Sequence, residues 1–161
     1  MLLKGHDDRG FVWYSNYNSR KGGELDNNNH AALTFWWGEM ERSIRIEGAV
    51  EKVSEEEATA YYHSRPRTSQ IGAWSSNQSQ EIGSREELEK KEIEIIKQFD
   101  NVEVIPKPPH WGGYRVIPNR IEFWKGRASR LHDRISYTKM ETDSSKVLIS
   151  EAKWDMKRLQ P

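Results

Sequence analysis

The chain contains no cysteine, which excludes a disulfide scaffold, thiolate-bound zinc and a cysteine nucleophile. Any chemistry is non-thiol, and a reducing compartment fits. Excess charge of either sign is also missing: Lys plus Arg and Asp plus Glu number 25 each. Without a global basic field, nucleic acid is not an expected partner, and any anion site has to be local. No run approaches the roughly 18 apolar residues of a membrane span, and the first residues lack the apolar core of a signal peptide. No membrane partner is expected, a cytoplasmic protein is the simplest reading, and no metal site is expected. Apolar residues are sparse at 35%, but seven Trp, six Tyr and four Phe supply bulky core material. At 161 residues one domain is the default.

Period and punctuation give the elements. Phe11 to Tyr17 and Ala31 to Trp37 are rich in aromatic and β-branched residues and read as strands, with a turn or short helix over Gly22 to Asn29. Arg42 to Val53 places Ile44, Ile46, Gly48 and Val50 on one face, a strand with one buried side. Ser54 with Glu57 is a capping box opening a helix to about His63, which Pro66 ends. Ser84 with Glu87 opens a longer helix to about Asp100, burying Leu88, Ile95, Ile96 and Phe99. Beyond the Pro-rich link Ile105 to Pro109, strands are expected at Tyr114 to Ile117, Arg120 to Trp124, Arg134 to Lys139 and Lys146 to Ala152. This order predicts an α+β protein on an antiparallel barrel or sheet.

Several polar clusters could carry chemistry. Ser19-Arg20-Lys21-Gly22-Gly23 pairs a guanidinium fork with an ammonium point charge on a flexible turn, which suits a phosphate; a basic turn explains it equally well. Tyr61 to Ser69 brings Tyr, Arg and hydroxyls to a helix end, with another helix start near Ser69, and could hold a phosphate dianion. Ser75 to Gln80 is polar throughout and reads as a surface loop. If the chain is extended from Ser129 onward, Arg130, His132 and Arg134 share a face and suggest an anion site, with Trp124 available to pack on a planar ring. A solvated edge strand is the plain alternative.

Taken in order, these segments resemble the pyridoxine (pyridoxamine) 5′-phosphate oxidases. The likeness runs from Met1-Leu2-Leu3-Lys4-Gly5 through Asn16 to Gly22, Arg45-Ile46-Glu47-Gly48, His63-Ser64-Arg65-Pro66, Ser69-Gln70-Ile71-Gly72-Ala73 and Trp111-Gly112-Gly113-Tyr114. It continues through Glu122-Phe123-Trp124 and Arg130-Leu131-His132-Asp133-Arg134 to Trp154 through Pro161. The resemblance implies a single FMN-binding split β-barrel over residues 1–161 with peripheral helices and a dimerisation region at about 111–161. It further implies a homodimer with FMN at the interface. By the same likeness, Arg20, Lys21, Gln78 and Ser79 would hold the FMN phosphate, and Tyr14, Ser15, Ser43, Trp124 and Arg134 would surround the ring. Lys4, Tyr61, Arg65 and Ser69 would meet the substrate phosphate, and Arg130, Leu131 and His132 would lie over its pyridine ring, with Arg130 and His132 as the catalytic pair. The implied reaction oxidises pyridoxine 5′-phosphate or pyridoxamine 5′-phosphate to pyridoxal 5′-phosphate, passing a hydride equivalent to flavin and electrons on to O₂.

Two departures qualify what the likeness implies. The family carries a longer N-terminal region before the Met-Leu-Leu-Lys motif, so the expectation is an N-terminally shortened barrel with an open edge. Ser43 stands where the family usually has Gln. The alternative expectation is therefore a catalytically weak or inactive pyridoxal 5′-phosphate-binding homologue.

Overall fold

A computed structural model describes residues 1–140 and 148–161. Among these are seven strands and four α-helices, with α2 to α4 running consecutively between β4 and β5. The strands are β1 (Gly5–Asp7), β2 (Gly10–Asn16), β3 (His30–Trp37), β4 (Arg42–Lys52), β5 (Trp111–Lys125), β6 (Asp133–Lys139) and β7 (Trp154–Leu159). The helices are α1 (Arg20–Asn27), α2 (Glu55–Ser64), α3 (Arg67–Ser75) and α4 (Arg85–Gln98). The strands order as β1-β2-β5-β4-β3, with β6 pairing both β5 and β7. The registered pairs β1–β2, β3–β4, β5–β6 and β6–β7 are all antiparallel. The expected α+β class on an antiparallel sheet is what forms.

Local chemistry explains the helix boundaries. The Ser54 hydroxyl accepts from the Glu57 N–H at 3.1 Å, and Ser84 accepts from Glu87 at 3.3 Å, as the two capping boxes predict. Glu55, Glu56 and Glu57 then crowd the first turn of α2, where the helix dipole favours them. Ser19 caps α1 in the same way, accepting from Gly22 at 3.2 Å, so the basic turn is a true helix start. Pro66 ends α2 and stands at the N-cap of α3. Arg67 reaches from α3 to the Phe99 and Val102 carbonyls, satisfying acceptors at the C-terminal end of α4.

The chain forms two compact units. One comprises Met1–Val12, Asn29–Glu51 and Arg115–Pro161; the other comprises Trp13–Asn28 and Lys52–Tyr114. The first buries Val12, Ile46, Val50 and Val116. Within it, Gly48 is required by close approach, because a Cβ there would stand 1.9 Å from the Ile117 carbonyl oxygen. The second unit buries Tyr62, Ile71, Phe99, Ile105 and Trp111, with Tyr14, Tyr61 and Trp74 packed against them.

Several expectations are corrected. Ile96 is 45% exposed; α4 buries a narrower stripe than its pattern suggests, closed by Phe99. The strands expected on either side of Pro118 are one continuous β5, since proline removes a donor but its backbone remains compatible with extension. The β6 ladder starts just beyond it, at Arg120↔Thr138. The strand expected over Lys146 to Ala152 lies partly outside the described residues; from Leu148 to Ala152 the chain turns, with the Ala152 N–H bonded to the Leu148 carbonyl. The pairing strand is β7, which starts at Trp154. β1 had no clear sequence pattern, being three residues long. No described helix is long and apolar enough to cross a membrane.

Candidate functional site

In the unit holding α1 to α4, Ser15 near the end of β2 meets the first turn of α1. The Lys21 ammonium donates to Ser15 Oγ at 2.7 Å and approaches Ser19 Oγ and Gln78 Oε1, each at 3.4 Å. Ser15 in turn donates to Gln78 Oε1 at 2.9 Å. Burial pushes the Lys21 pKa down, opposed by the charge of Glu24. A cation whose hydrogen bonds among the described residues go to neutral oxygens, in a partly desolvated niche, suits an anion, and hydroxyls with an amide beside it match a phosphate's acceptors. Arg20 does not join this cluster; it is exposed and pairs with Glu24 at 2.8 Å one turn along α1. Ser79 is exposed, with a left-handed backbone at φ 69°.

Successive strand residues face opposite sides, so Tyr14 points away from Ser15. Its ring stacks on Tyr61 at 3.8 Å between centroids and on Trp111 at 5.4 Å. Arg65, at the end of α2, lays its guanidinium over the Trp111 ring at 4.7 Å. Its Nη1 is buried and has no hydrogen-bond partner among the described residues. Burial lowers the Arg65 pKa, with Tyr61 and Tyr62 opposing. The α2–α3 corner that presents Arg65 is tied by Gln70, which donates to the Arg65 carbonyl at 2.9 Å while its own carbonyl accepts from the Tyr62 hydroxyl at 3.0 Å. Trp111 is fixed from below by Lys107, whose buried ammonium donates to the Trp111 carbonyl and pairs with Glu55. An orphaned buried guanidinium nitrogen is costly unless a ligand completes it, so the chemistry of this corner suits a second anion. Ser69 sits in the first turn of α3, half-buried.

The other unit carries a different constellation. Alternation on three neighbouring strands places Thr34 and Trp36 of β3, Ser43 and Arg45 of β4, and Glu122 and Trp124 of β5 around an open cavity of about 310 Å³. The β3–β4 register sets Trp36 opposite Ser43, and the β5–β6 register sets Trp124 opposite Arg134. Arg134 reaches diagonally to Glu122, with Nε at 2.7 Å and Nη2 at 3.0 Å from its two carboxylate oxygens. These bonds hold the Glu122 carboxyl below the usual carboxylate range against the opposing effect of burial. The Trp36 and Trp124 rings lie 5.8 Å apart, and His132 packs on Trp124 at 4.8 Å.

The expected shared face of Arg130, His132 and Arg134 does not form. Ala128 to Arg130 is a short 3-10 turn in which Ser129 and Arg130 have φ of 57° and 63°, and β6 begins only at Asp133. The Arg127 N–H donates to His132 Nδ1 at 3.1 Å, turning the imidazole onto Trp124, while Arg130 and Leu131 stay exposed. Lys4 is exposed too, and its backbone N–H is engaged by the Val12 carbonyl. Sequence reasoning missed Trp36, Trp111 and Glu122 as site residues. The alternation on β5 that pairs Glu122 with Trp124 was available; the stacking of Trp111 on Tyr14 was not, because it depends on tertiary contact.

Residues 1–98 match the family model described as pyridoxamine 5′-phosphate oxidase, and residues 111–161 match the pyridoxine 5′-phosphate oxidase C-terminal dimerisation region. The pyridoxine/pyridoxamine 5′-phosphate oxidase of Trichormus variabilis is 55% identical over the whole chain, which spans 71% of that protein. That of Paraburkholderia phytofirmans is 52% identical with the same coverage. Among solved structures, PhzG from Burkholderia lata 383, in complex with tetrahydrophenazine-1-carboxylic acid, superposes with a TM-score of 0.85 at 30% identity, covering 99% of this chain and 72% of PhzG. A pyridoxamine 5′-phosphate oxidase-related, FMN binding protein from Nostoc punctiforme shares the fold, with a TM-score of 0.69 at 11% identity over 99% of this chain and 78% of its own. By sequence along its full length and by fold, the chain belongs to the pyridoxine/pyridoxamine 5′-phosphate oxidase family of FMN-binding split-barrel oxidoreductases.

Proposed function

We propose that the chain oxidises pyridoxine 5′-phosphate or pyridoxamine 5′-phosphate to pyridoxal 5′-phosphate. FMN, when bound, supplies the redox chemistry by accepting the hydride equivalent from C4′ and passing the electrons to O₂, so that hydrogen peroxide is the second product. With the amine substrate, water enters and ammonia leaves. The observation that carries this reading is the pair of distinct anion centres, Lys21 with its hydroxyls and the Arg65 guanidinium with its unpartnered buried nitrogen. A reaction between a phosphorylated cofactor and a phosphorylated substrate needs two such centres.

The residues fit FMN by donor chemistry. Lys21, Ser15 and Gln78 suit its phosphate, and the cavity between Trp36 and Trp124 offers two indole rings among polar side chains, which suits a planar ring with polar edges. Ser79 and Arg20 join the phosphate group in this reading, Arg20 by exchanging Glu24 for the ligand. Arg65, Tyr61, Ser69 and Lys4 receive the substrate phosphate, and Arg130 and His132 orient its ring and balance charge on it. The exposed Phe123, Leu131 and Met156 in the dimerisation region support a homodimer.

Ser43 favours a second reading, a homologue that binds pyridoxal 5′-phosphate but holds FMN weakly, because its short hydroxyl lines the ring cavity where a longer amide would reach further. One missing hydrogen bond is worth about 1 kcal/mol, roughly a fivefold loss of affinity, which does not abolish binding. Purified chain should be yellow, bleach on anaerobic addition of pyridoxamine 5′-phosphate, and release peroxide in air. A colourless preparation that binds pyridoxal 5′-phosphate without turnover selects the second reading.

A further inference from the structure

Among the described residues Glu122 is the one carboxylate lining the cavity between Trp36 and Trp124, and its position follows from strand alternation. Arg120, Glu122 and Trp124 share one face of β5, and Arg134 and Ser136 share the facing side of β6. The Glu122 side chain is 14% exposed and takes two bonds from Arg134, with a weaker third contact from Arg120 at 3.4 Å. Arg134 is held at its other end, where Nη1 donates to the Gln160 carbonyl at 3.1 Å. A two-point bond between planar groups fixes the rotation of the guanidinium as well as its place. Arg120 has a separate anchor, its Nε donating to the Ser136 hydroxyl at 3.2 Å.

We propose that Glu122 is a positioning residue for the flavin: by gripping Arg134 at two points it sets the orientation in which that guanidinium meets the isoalloxazine ring. This rests on the reading of Arg134 and Trp124 as flavin-facing. Glutamine at 122 keeps the shape of the side chain but offers one acceptor oxygen, and its amide N–H₂ faces guanidinium donors. The Arg134 plane is then fixed at fewer points and turns more easily, and the interaction it makes with the ring weakens in both oxidation states to different degrees.

The test is a double-mutant cycle of Glu122→Gln and Arg134→Gln, read as the FMN dissociation constant by fluorescence quenching and as the flavin midpoint potential. Glu122→Gln is expected to weaken FMN binding about tenfold and to shift the reduction equilibrium about tenfold, roughly 30 mV for a two-electron couple. In the Arg134→Gln background both effects should shrink to within about twofold, because the residue acts through Arg134. Arg120→Gln should leave affinity and potential unchanged, and Glu122→Asp, which keeps the charge but shortens the reach, should fall between wild type and Glu122→Gln. If Glu122→Gln folds poorly, the Glu122→Asp and Arg120→Gln results carry the decision alone. Equal effects of Glu122→Gln in both backgrounds, or a larger loss from Arg120→Gln than from Glu122→Asp, overturns the inference. A wild-type chain that binds no FMN overturns the cofactor reading and this inference together, whereas normal wild-type binding with no change in any variant overturns the inference alone.

Discussion

Lys21→Met removes the ammonium of the proposed cofactor-phosphate centre while keeping the length and apolar stem of the side chain. The wild-type Nζ sits 2.7 Å from Ser15 Oγ and has neutral oxygens around it. Truncating one partner of a hydrogen-bonded charge pair costs about 2 to 5 kcal/mol, so FMN affinity should fall roughly 30- to 4,000-fold. The pH dependence gives a sharper signature. Because burial lowers the Lys21 pKa from 10.5, the cation is present below that lowered value and is lost as pH rises through it. FMN affinity should therefore begin to decline on the alkaline side before an ordinary surface lysine would titrate. On the acid side, affinity should decline below pH of about 6, where the phosphate takes up its second proton. Fluorescence-quenching titrations across pH measure both limbs, and circular dichroism confirms that the variant is folded. Lys21→Met serves as its own control, since any alkaline limb that survives in it belongs to the ligand. A Lys21→Met protein that binds FMN within threefold of wild type at pH 8 would refute the assignment.

Arg65→Ala should weaken pyridoxal 5′-phosphate binding by about 2 to 5 kcal/mol while leaving the FMN dissociation constant within twofold, measured by separate titrations of the two ligands. Equal losses for both would merge the two anion centres into one. Glu24→Gln frees Arg20 from its helical ion pair, a gain of about 0.3 to 0.5 kcal/mol, so FMN should bind about twofold tighter at low salt with the difference fading as salt rises; weaker binding would show that Arg20 does not face the ligand. Gly48→Ala should lower the melting temperature by roughly 2 to 12 °C, from an overpacking cost of about 1 to 3 kcal/mol against the Ile117 carbonyl, and an unchanged melting temperature would mean that β4 and β5 are not that close.

What could be read from the sequence was whatever depends on near neighbours. Both capping serines, the half-buried alternation of β4 and the break at Pro66 are local, and each appears where its pattern places it. The Ser129–Arg130 turn was misread because an alternating Arg-x-His-x-Arg pattern looks extended, while the actual backbone takes positive φ at two consecutive residues without glycine. Ile96 was misread because the periodicity of α4 does not reveal how wide a surface the partner element covers. Among site residues, Lys21, Arg65 and Trp124 were legible from charge and aromatic content beside element ends. Trp111 was not, since it stacks on residues far away in the chain; for Glu122 the alternation of β5 gave the face, but not the diagonal contact to Arg134 across the strand pair.

The pattern of ion pairing separates the cations by role more sharply than their sequence context does. Arg115, almost fully buried, is paired with Asp7, and Lys107 with Glu55; both charges are neutralised inside the protein and serve the framework. Lys21 and Arg65 are withdrawn from water as well, yet Lys21 is held by hydroxyl and amide oxygens and Arg65 by ring faces. In a chain with zero net charge, leaving two partly desolvated cations hydrogen-bonded or stacked only on uncharged groups among the described residues costs folding free energy that a bound anion would offset. Arg20 and Arg134 stand between these classes. The surface pair of Arg20 with Glu24 is weak enough for a phosphate to displace, whereas Glu122 grips Arg134 at two points and fixes the direction in which that guanidinium points.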